Sequence, residues 1–284
     1  MNTKTIIHVW TQDFLELDGS KSKEFFGFGD LIRCSIELYK LCKCMNYNFI
    51  LDISLHPISQ FYNEYKHEYS ELISQNKDKI YHISANDILR YISKTIKERD
   101  VLYFISNFWS SISNANFAEN ELETKQRTEY FKKIFKPNDE FMKYINDNYN
   151  EVLKKEYNIL HYRLGDEYLI DDNINRFDKI YSHLLNKYNS NYIFLCDSNK
   201  FKQYIIDKNN CLSNKYIITI DIDICHIGKS KDIKMLKNTL SELYIISNSK
   251  KIDSYSVYEW ISGFVFHISN LYDIPINGNI NVKF

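Results

Sequence analysis

The sequence has no long hydrophobic run and almost no net charge. None of its 284 residues belongs to a segment that approaches the ~18 apolar residues of a membrane-spanning helix. Its 36 basic and 37 acidic residues give a formal net charge of −1, which excludes a general attraction to nucleic acid or to an anionic membrane. Any recognition of phosphate by this chain must therefore be local.

Cysteine pairs with metal-binding or redox spacing are also missing. None of the six cysteines belongs to a Cys-x-x-Cys pair, and several lie in apolar periodic segments, which predicts reduced and packed thiols. The apolar run near the N-terminus is broken by His8 and is too short for the hydrophobic region of a signal peptide. Together these features predict a cytoplasmic protein.

The sequence has little that resembles a metal site. Asp221-Ile222-Asp223 follows a predicted strand, and two loop carboxylates are a simpler interpretation of it than a metal-binding pair. The histidines are scattered without the spacing of metal ligands. We therefore predict no metal and no cofactor.

Short apolar runs alternate with longer segments of helical periodicity throughout the chain. Runs rich in β-branched and aromatic residues predict strands at 5–10, 47–53, 80–83, 101–105, 158–162, 192–198, 216–220 and 243–249. Helical spacing predicts helices at 30–45, 86–97, 173–187, 233–240 and 256–269. It also predicts a helix from His56 to about 75, a helix after 198, and two helices within 121–149 that are separated at Pro137. This alternation is typical of an α/β fold with parallel sheets between layers of helices.

The length and the repeated pattern predict two domains, residues 1–150 and 151–284. The last predicted helix is placed so that it could pack back on the N-terminal domain. A cleft between the two halves is the expected ligand site.

The segment 159–167 carries the strongest functional signal. A short apolar run ends there in His161, Arg163, Gly165 and two acids, as expected of a buried strand that delivers polar side chains to its carboxyl end. Ligands of open α/β sheets bind beyond those ends. Because a guanidinium group matches phosphate oxygens and stays charged, Arg163 is predicted to bind an anion. A strand that ends in a solvated loop is the alternative.

A second candidate lies at Gly27-Phe28-Gly29-Asp30, which is predicted to be a tight loop that opens a helix. Glycines there would let the backbone approach a phosphate at the helix N-terminus, although the third glycine of a dinucleotide fingerprint is missing. Arg33 either reaches back to this loop or is an ordinary surface charge. His56 either faces the cleft or caps the helix that follows it.

The peptide His161-Tyr162-Arg163-Leu164-Gly165-Asp166 resembles the His-x-Arg-Arg-x-Asp peptide of the α1,2-, α1,6- and protein O-fucosyltransferase superfamily. Other segments resemble this family in the same order: 27–30, 194–198, Asp232 onward, 247–249 and 254–256. The resemblance implies a GT-B architecture, with two Rossmann-like domains whose parallel sheets face one another across a cleft. It further implies a metal-independent, inverting transfer of fucose from GDP-fucose to a hydroxyl of a glycan acceptor, in cytoplasmic glycan biosynthesis.

The resemblance also implies roles for individual residues. The second domain would hold the nucleotide sugar and the first the acceptor. Arg163 would bind the β-phosphate of GDP, His161 would lie near the nucleoside, and Asp232 would accept from the guanine edge. The implied donor site comprises Gly27, Gly29, His161, Arg163, Asp166, Asp197, Asp232, Ser254, Tyr255 and Ser256, with Ser254 and Ser256 in a turn that donates to phosphate.

Two departures leave alternatives open. Leu164 stands where the family has its second arginine, and Lys250 to Asp253 are additional in the serine-rich segment, so Ser249 competes with Ser254. The catalytic base is Asp30 or one of the acids after Arg163, namely Asp166, Glu167 or Asp171; Asp166 could instead hold Arg163 by an ion pair.

Two other functions are compatible with the same residues. One is a GT-B glycosyltransferase that uses another nucleotide sugar, because Arg163 recognises the diphosphate and not the sugar. The other is a catalytically silent protein that binds a nucleotide or a glycan. Turnover of the donor separates the silent protein from the enzymes. The oligomeric state cannot be read from the sequence.

Overall fold

The computed structural model describes residues 4–12, 24–63, 74, 80–82, 101–105, 119–165, 174–187, 192–208 and 223–280. It is an α/β chain that divides into two compact units, Met1–Phe141 and Met142–Phe284. The predicted domain boundary and the predicted roles of the two halves stay predictions.

A four-stranded parallel sheet lies in the N-terminal unit. Its strands, in the order β2-β1-β4-β3, are β1 (Thr5–Val9), β2 (Asn48–Asp52), β3 (Ile80–His82) and β4 (Val101–Ile105). Ile6, Ile7 and Leu51 are buried, as expected for parallel strands that are covered on both faces. All four strands were predicted from their apolar runs, and the structure confirms them.

The helices described in this unit are α1 (Phe28–Cys44) and α2 (Glu121–Ile134), and α3 (Asp139–Leu153) spans the division between the units. A capping box of Asn120 and Glu123 begins α2, because each side chain accepts the backbone N–H of the other residue. After β2 the chain forms a short 3₁₀ helix, Pro57–Phe61, instead of the start of a long α-helix. His56 caps it, since its Nδ1 accepts the N–H of Ile58 at 3.1 Å.

A second four-stranded parallel sheet lies in the C-terminal unit. Its order is β6-β5-β7-β8, formed by β5 (Asn158–Arg163), β6 (Tyr192–Cys196), β7 (Ile252–Ser256) and β8 (Ile276–Ile280). The helices described here are α4 (Ile174–Lys187), α5 (Asn199–Lys208), α6 (Ile233–Ser247) and α7 (Gly263–Tyr272). Aromatic and aliphatic residues of β5, β6, α4 and α5 pack together in one core, which includes Tyr162, Phe177, Phe194 and Phe201.

Three predictions for the C-terminal unit are wrong. The predicted strand 243–249 is the end of α6, where Leu236, Leu240, Leu243 and Ile246 recur at helical spacing and are all buried. The predicted serine turn is strand β7, and the last helix begins at Gly263 instead of near 256. The apolar run 243–246 thus favoured a strand, whereas burial of one helical face decides the structure.

The predicted helix 86–97, the predicted strand 216–220 and Asp221 lie outside the described residues. Within the described part of the chain, no helix has both the length and the apolar character that crossing a bilayer requires.

Candidate functional site

Polar side chains gather at the carboxyl edge of the C-terminal sheet. Arg163 is the last residue of the central strand β5 and lies beside Ser256, the last residue of β7. On its other side β6 ends at Cys196, so that Asp197 follows at the same edge. The prediction that a buried strand brings Arg163 to this edge is confirmed.

Asp197 organises this edge. Its carboxylate accepts a hydrogen bond from Nη1 of Arg163, from the N–H of Leu164 at 2.7 Å and from the N–H of Gly165 at 3.1 Å. The guanidinium group is therefore held in place by a charged, multiply bonded partner while 25% of its side chain remains exposed. Asp166, the partner suggested by the sequence, lies outside the described residues.

Tyr258 covers the backbone next to Arg163. The guanidinium carbon of Arg163 lies 6.0 Å from the centre of the Tyr258 ring, within the range of a cation–π contact. Gly165 has φ +86° and lies under this ring, because a Cβ built on it would be 2.5 Å from the Tyr258 hydroxyl oxygen. Only glycine fits both the conformation and the space.

Replacing Gly165 with Ala is expected to destabilise the protein by about 1–3 kcal/mol, because alanine is strained at positive φ and its Cβ would displace the Tyr258 ring. Urea unfolding measures this change. Gly263→Ala is the matched control, since its Cβ would meet no atom closer than 3.8 Å. Equal stabilities of the two variants would contradict the prediction.

His161 lies in the interior beneath this edge. It is buried, and its Nδ1 is 3.4 Å from the hydroxyl oxygen of Ser254. Burial, together with the smaller effect of the positive charges of Arg163 and Lys202, lowers the pKa of His161 from 6.5 to about 3. His161 is therefore a neutral group that supports the strand on which Arg163 lies.

The three residues predicted for the serine turn lie in β7 and are buried. Ser254 contacts His161, and the Ser256 hydroxyl oxygen accepts the N–H of Tyr258 at 3.1 Å. Tyr255 packs against Tyr162, with ring centres 5.1 Å apart. In this structure these residues shape the sheet edge, and they do not form the start of a helix.

Asp232 is the N-cap of α6. Its Oδ1 accepts the N–H of Lys234 at 2.9 Å and of Met235 at 3.1 Å. The residue is exposed, and its position before a helix is as predicted.

The glycine segment of the N-terminal unit is not a loop. Gly27 is the N-cap of α1, whereas Gly29 and Asp30 belong to the first helical turn. This corrects the prediction: helical geometry begins at Phe28 because the apolar face of α1 includes that buried ring. Asp30 forms an ion pair with Arg33 at 3.1 Å, one turn along the helix.

Glu167 and Asp171 lie outside the described residues, as does Asp166. Among the described residues, no three side chains of His, Cys, Asp or Glu come together as metal ligands would.

Two features of the C-terminal unit were missed from the sequence. One is a buried ion pair between Lys202 of α5 and Glu242 of α6, with Nζ and Oε1 2.5 Å apart. The other is the aromatic pair Tyr258 and Trp260, whose rings stack with centres 5.1 Å apart. The spacing Tyr-x-Trp after a strand was a possible signal for the second, but nothing in the sequence pairs Lys202 with Glu242.

Solved structures share this fold over nearly the whole chain. The crystal structure of the fucosyltransferase NodZ from Bradyrhizobium superposes with a TM-score of 0.53 at 12% identity, covering 97% of this chain and 95% of that chain. NodZ alpha-1,6-fucosyltransferase co-crystallized with GDP gives 0.53 at 11% identity, with 97% and 94% covered. The chain has a fucosyltransferase-like fold. No protein-family model and no curated protein matches the sequence.

At an identity of 11–12%, the similarity shows that the backbones are arranged alike, but it does not show what individual residues do. The similarity therefore concerns the fold, with its parallel sheets and helices, whereas each functional residue has to be argued from its own surroundings.

Proposed function

We propose that this protein is a metal-independent, inverting glycosyltransferase of GT-B architecture. It transfers fucose from GDP-fucose to a hydroxyl of a glycan acceptor. The observation that carries the proposal is Arg163, fixed by Asp197 at the carboxyl edge of a parallel sheet and still exposed. The structures with a similar fold are of a fucosyltransferase, one of them with GDP, and the proposal extends that reaction to this chain.

Departure of the nucleoside diphosphate is the step that needs Arg163. Negative charge develops on the β-phosphate as the bond to the sugar breaks, and a guanidinium group already held in place stabilises this charge without reorganisation. Asp197 supplies that pre-organisation because its bonds to Arg163, Leu164 and Gly165 fix the turn after β5. The other donor-site residues that the resemblance implies stay predictions: Gly27, Gly29, His161, Asp166, Asp232, Ser254, Tyr255 and Ser256.

Replacing Arg163 with Ala is expected to weaken GDP and GDP-fucose binding by roughly 10- to 100-fold, the range for a lost charge-assisted contact. Calorimetry in EDTA measures both affinities. Arg176→Ala is the control, since Arg176 is an exposed arginine on α4 of the same unit. No binding of GDP or GDP-fucose by folded wild-type protein would refute the proposal, as would an unchanged affinity in Arg163→Ala.

The proposed base is Asp30, with Glu167 as the second candidate. Because Arg33 holds the carboxylate of Asp30 in one orientation, Asp30 is a positioned acceptor for the proton of the acceptor hydroxyl. Asp30→Asn should lower turnover of GDP-fucose by about 10²- to 10⁴-fold and leave GDP affinity unchanged. Turnover close to wild type would move the assignment to Glu167.

A further inference from the structure

Two aromatic residues, Tyr258 and Trp260, follow strand β7, whose last residue lies beside Arg163. The rings of Tyr258 and Trp260 are nearly parallel, with an interplanar angle of 4° and centres 5.1 Å apart. Tyr258 is partly buried, but Trp260 is 61% exposed and is among the most exposed large hydrophobic residues that the structure describes. A tryptophan left in water offers a flat apolar surface that a ligand can cover.

This surface is joined to the candidate phosphate site by direct contacts. Tyr258 contacts both residues, since its ring centre is 6.0 Å from the guanidinium carbon of Arg163 and 5.1 Å from the ring centre of Trp260. The positive φ of Gly165 and its missing Cβ let the Tyr258 ring approach the backbone there. A bond from the N–H of Tyr258 to the Ser256 hydroxyl oxygen fixes the start of the segment. The two rings are thus positioned relative to the cation.

We propose that Trp260, backed by the stacked ring of Tyr258, forms the platform for the sugar ring of the donor. The inference rests on the proposed function. A pyranose attached to the β-phosphate lies next to whatever cation binds that phosphate, and the aromatic rings begin beside this cation. The C–H groups on one face of the sugar carry a partial positive charge and suit the negative face of an aromatic ring. A 6-deoxy sugar adds a methyl group to its apolar surface.

The alternative ligand for this platform is the nucleobase. It lies at the opposite end of the diphosphate from the sugar, so it would be farther from Arg163 than the sugar is. The two possibilities differ in a measurable way, because GDP contains the base and lacks the sugar.

The test compares GDP with GDP-fucose on the same variants. In Trp260→Ala, the ratio of the dissociation constant of GDP-fucose to that of GDP should rise about three- to tenfold, as expected for the loss of one aromatic contact. Trp260→Phe should restore most of the wild-type ratio because it keeps a flat ring. Phe266→Ala, which truncates an exposed aromatic of α7, should leave the ratio unchanged.

Each other outcome has one meaning. Equal weakening of GDP and GDP-fucose by Trp260→Ala would assign the stacking to the base and overturn the inference. An unchanged ratio in Trp260→Ala, with binding still dependent on Arg163, would overturn the platform and leave the proposed function intact. Failure of wild-type protein to bind either ligand would remove the proposed function itself.

Discussion

Replacing Lys202 with Met is expected to destabilise the protein by about 3–5 kcal/mol, the range for breaking a buried ion pair by removing one partner. Lys202 is 1% exposed and Glu242 is nearly as buried, with Nζ and Oε1 2.5 Å apart. Without the ammonium group the carboxylate of Glu242 would remain in a nonpolar interior with no partner charge. Urea unfolding at pH 7 measures the loss of stability.

The double variant Lys202→Met and Glu242→Leu distinguishes an unpaired charge from poor packing. Both side chains are then apolar and of similar volume, so most of the lost stability should return. Lys208→Met is the matched control on the same helix, because its partner Asp178 is at the surface, where solvent screens an ion pair and its loss changes stability little. A double variant as unstable as Lys202→Met would show that packing, not charge, is responsible.

The Lys202→Met variant should also respond to acid in a characteristic way. Burial raises the pKa of Glu242, while Lys202 opposes that rise. Once Lys202 is removed, protonation of Glu242 leaves a neutral carboxyl group in the interior. The difference in stability between wild type and Lys202→Met should therefore shrink as the pH falls.

The strands of the two sheets show which sequence patterns identify a strand and which strands such patterns miss. Apolar runs identified β1, β2, β5 and β6, since parallel strands are buried on both faces and need such runs. The strand β7, with the sequence Ile-Asp-Ser-Tyr-Ser, was missed. Its serines are buried because they bond to His161 and to the Tyr258 N–H, contacts that no local pattern reveals.

Strand β8 was missed for a related reason. Its sequence Ile-Asn-Gly-Asn-Ile is polar, and a glycine inside a strand usually counts against it. Gly278 leaves room there for the side chain of Ile261, since a Cβ would lie 2.0 Å from the Ile261 Cδ1 and would displace it. This close approach is a tertiary contact, and the sequence alone does not contain it.

The candidate site was predicted in part for similar physical reasons. A strand that ends in Arg163 and another that ends in Asp197 are both visible as apolar runs followed by a charge. Their pairing follows from adjacent positions in the sheet, which the linear pattern leaves open. Asp197 was predicted to bind the donor, and this stays a prediction; its contacts with Arg163 and with the following backbone, which the structure shows, were not foreseen.

Stability is expected to fall steeply in mild acid because of two buried histidines. Burial lowers the pKa of His8 and of His161 from 6.5 to about 3 in the folded protein. Between about pH 3 and pH 6.5, each imidazole takes up a proton in the unfolded chain but not in the folded chain. Lowering the pH therefore favours unfolding. Each histidine should contribute up to about 1.4 kcal/mol per pH unit to the slope of stability against pH, with the stability lost as the pH falls below 6.5.

The measurement is urea unfolding between pH 5 and 6.5, where few carboxylates titrate. Averaged over this range, His161→Gln should lower the slope by about 1 kcal/mol per pH unit, because the unfolded imidazole is only half protonated at pH 6.5, and adding His8→Gln should lower it again by a similar amount. The two effects should add because His8 bonds to Ser35 in one unit and His161 contacts Ser254 in the other. An unchanged slope in His161→Gln would mean that His161 takes up its proton in the folded state too. His161 would then be positively charged two residues before Arg163 on the same strand. The conclusion that His161 is neutral and only supports this strand would be wrong.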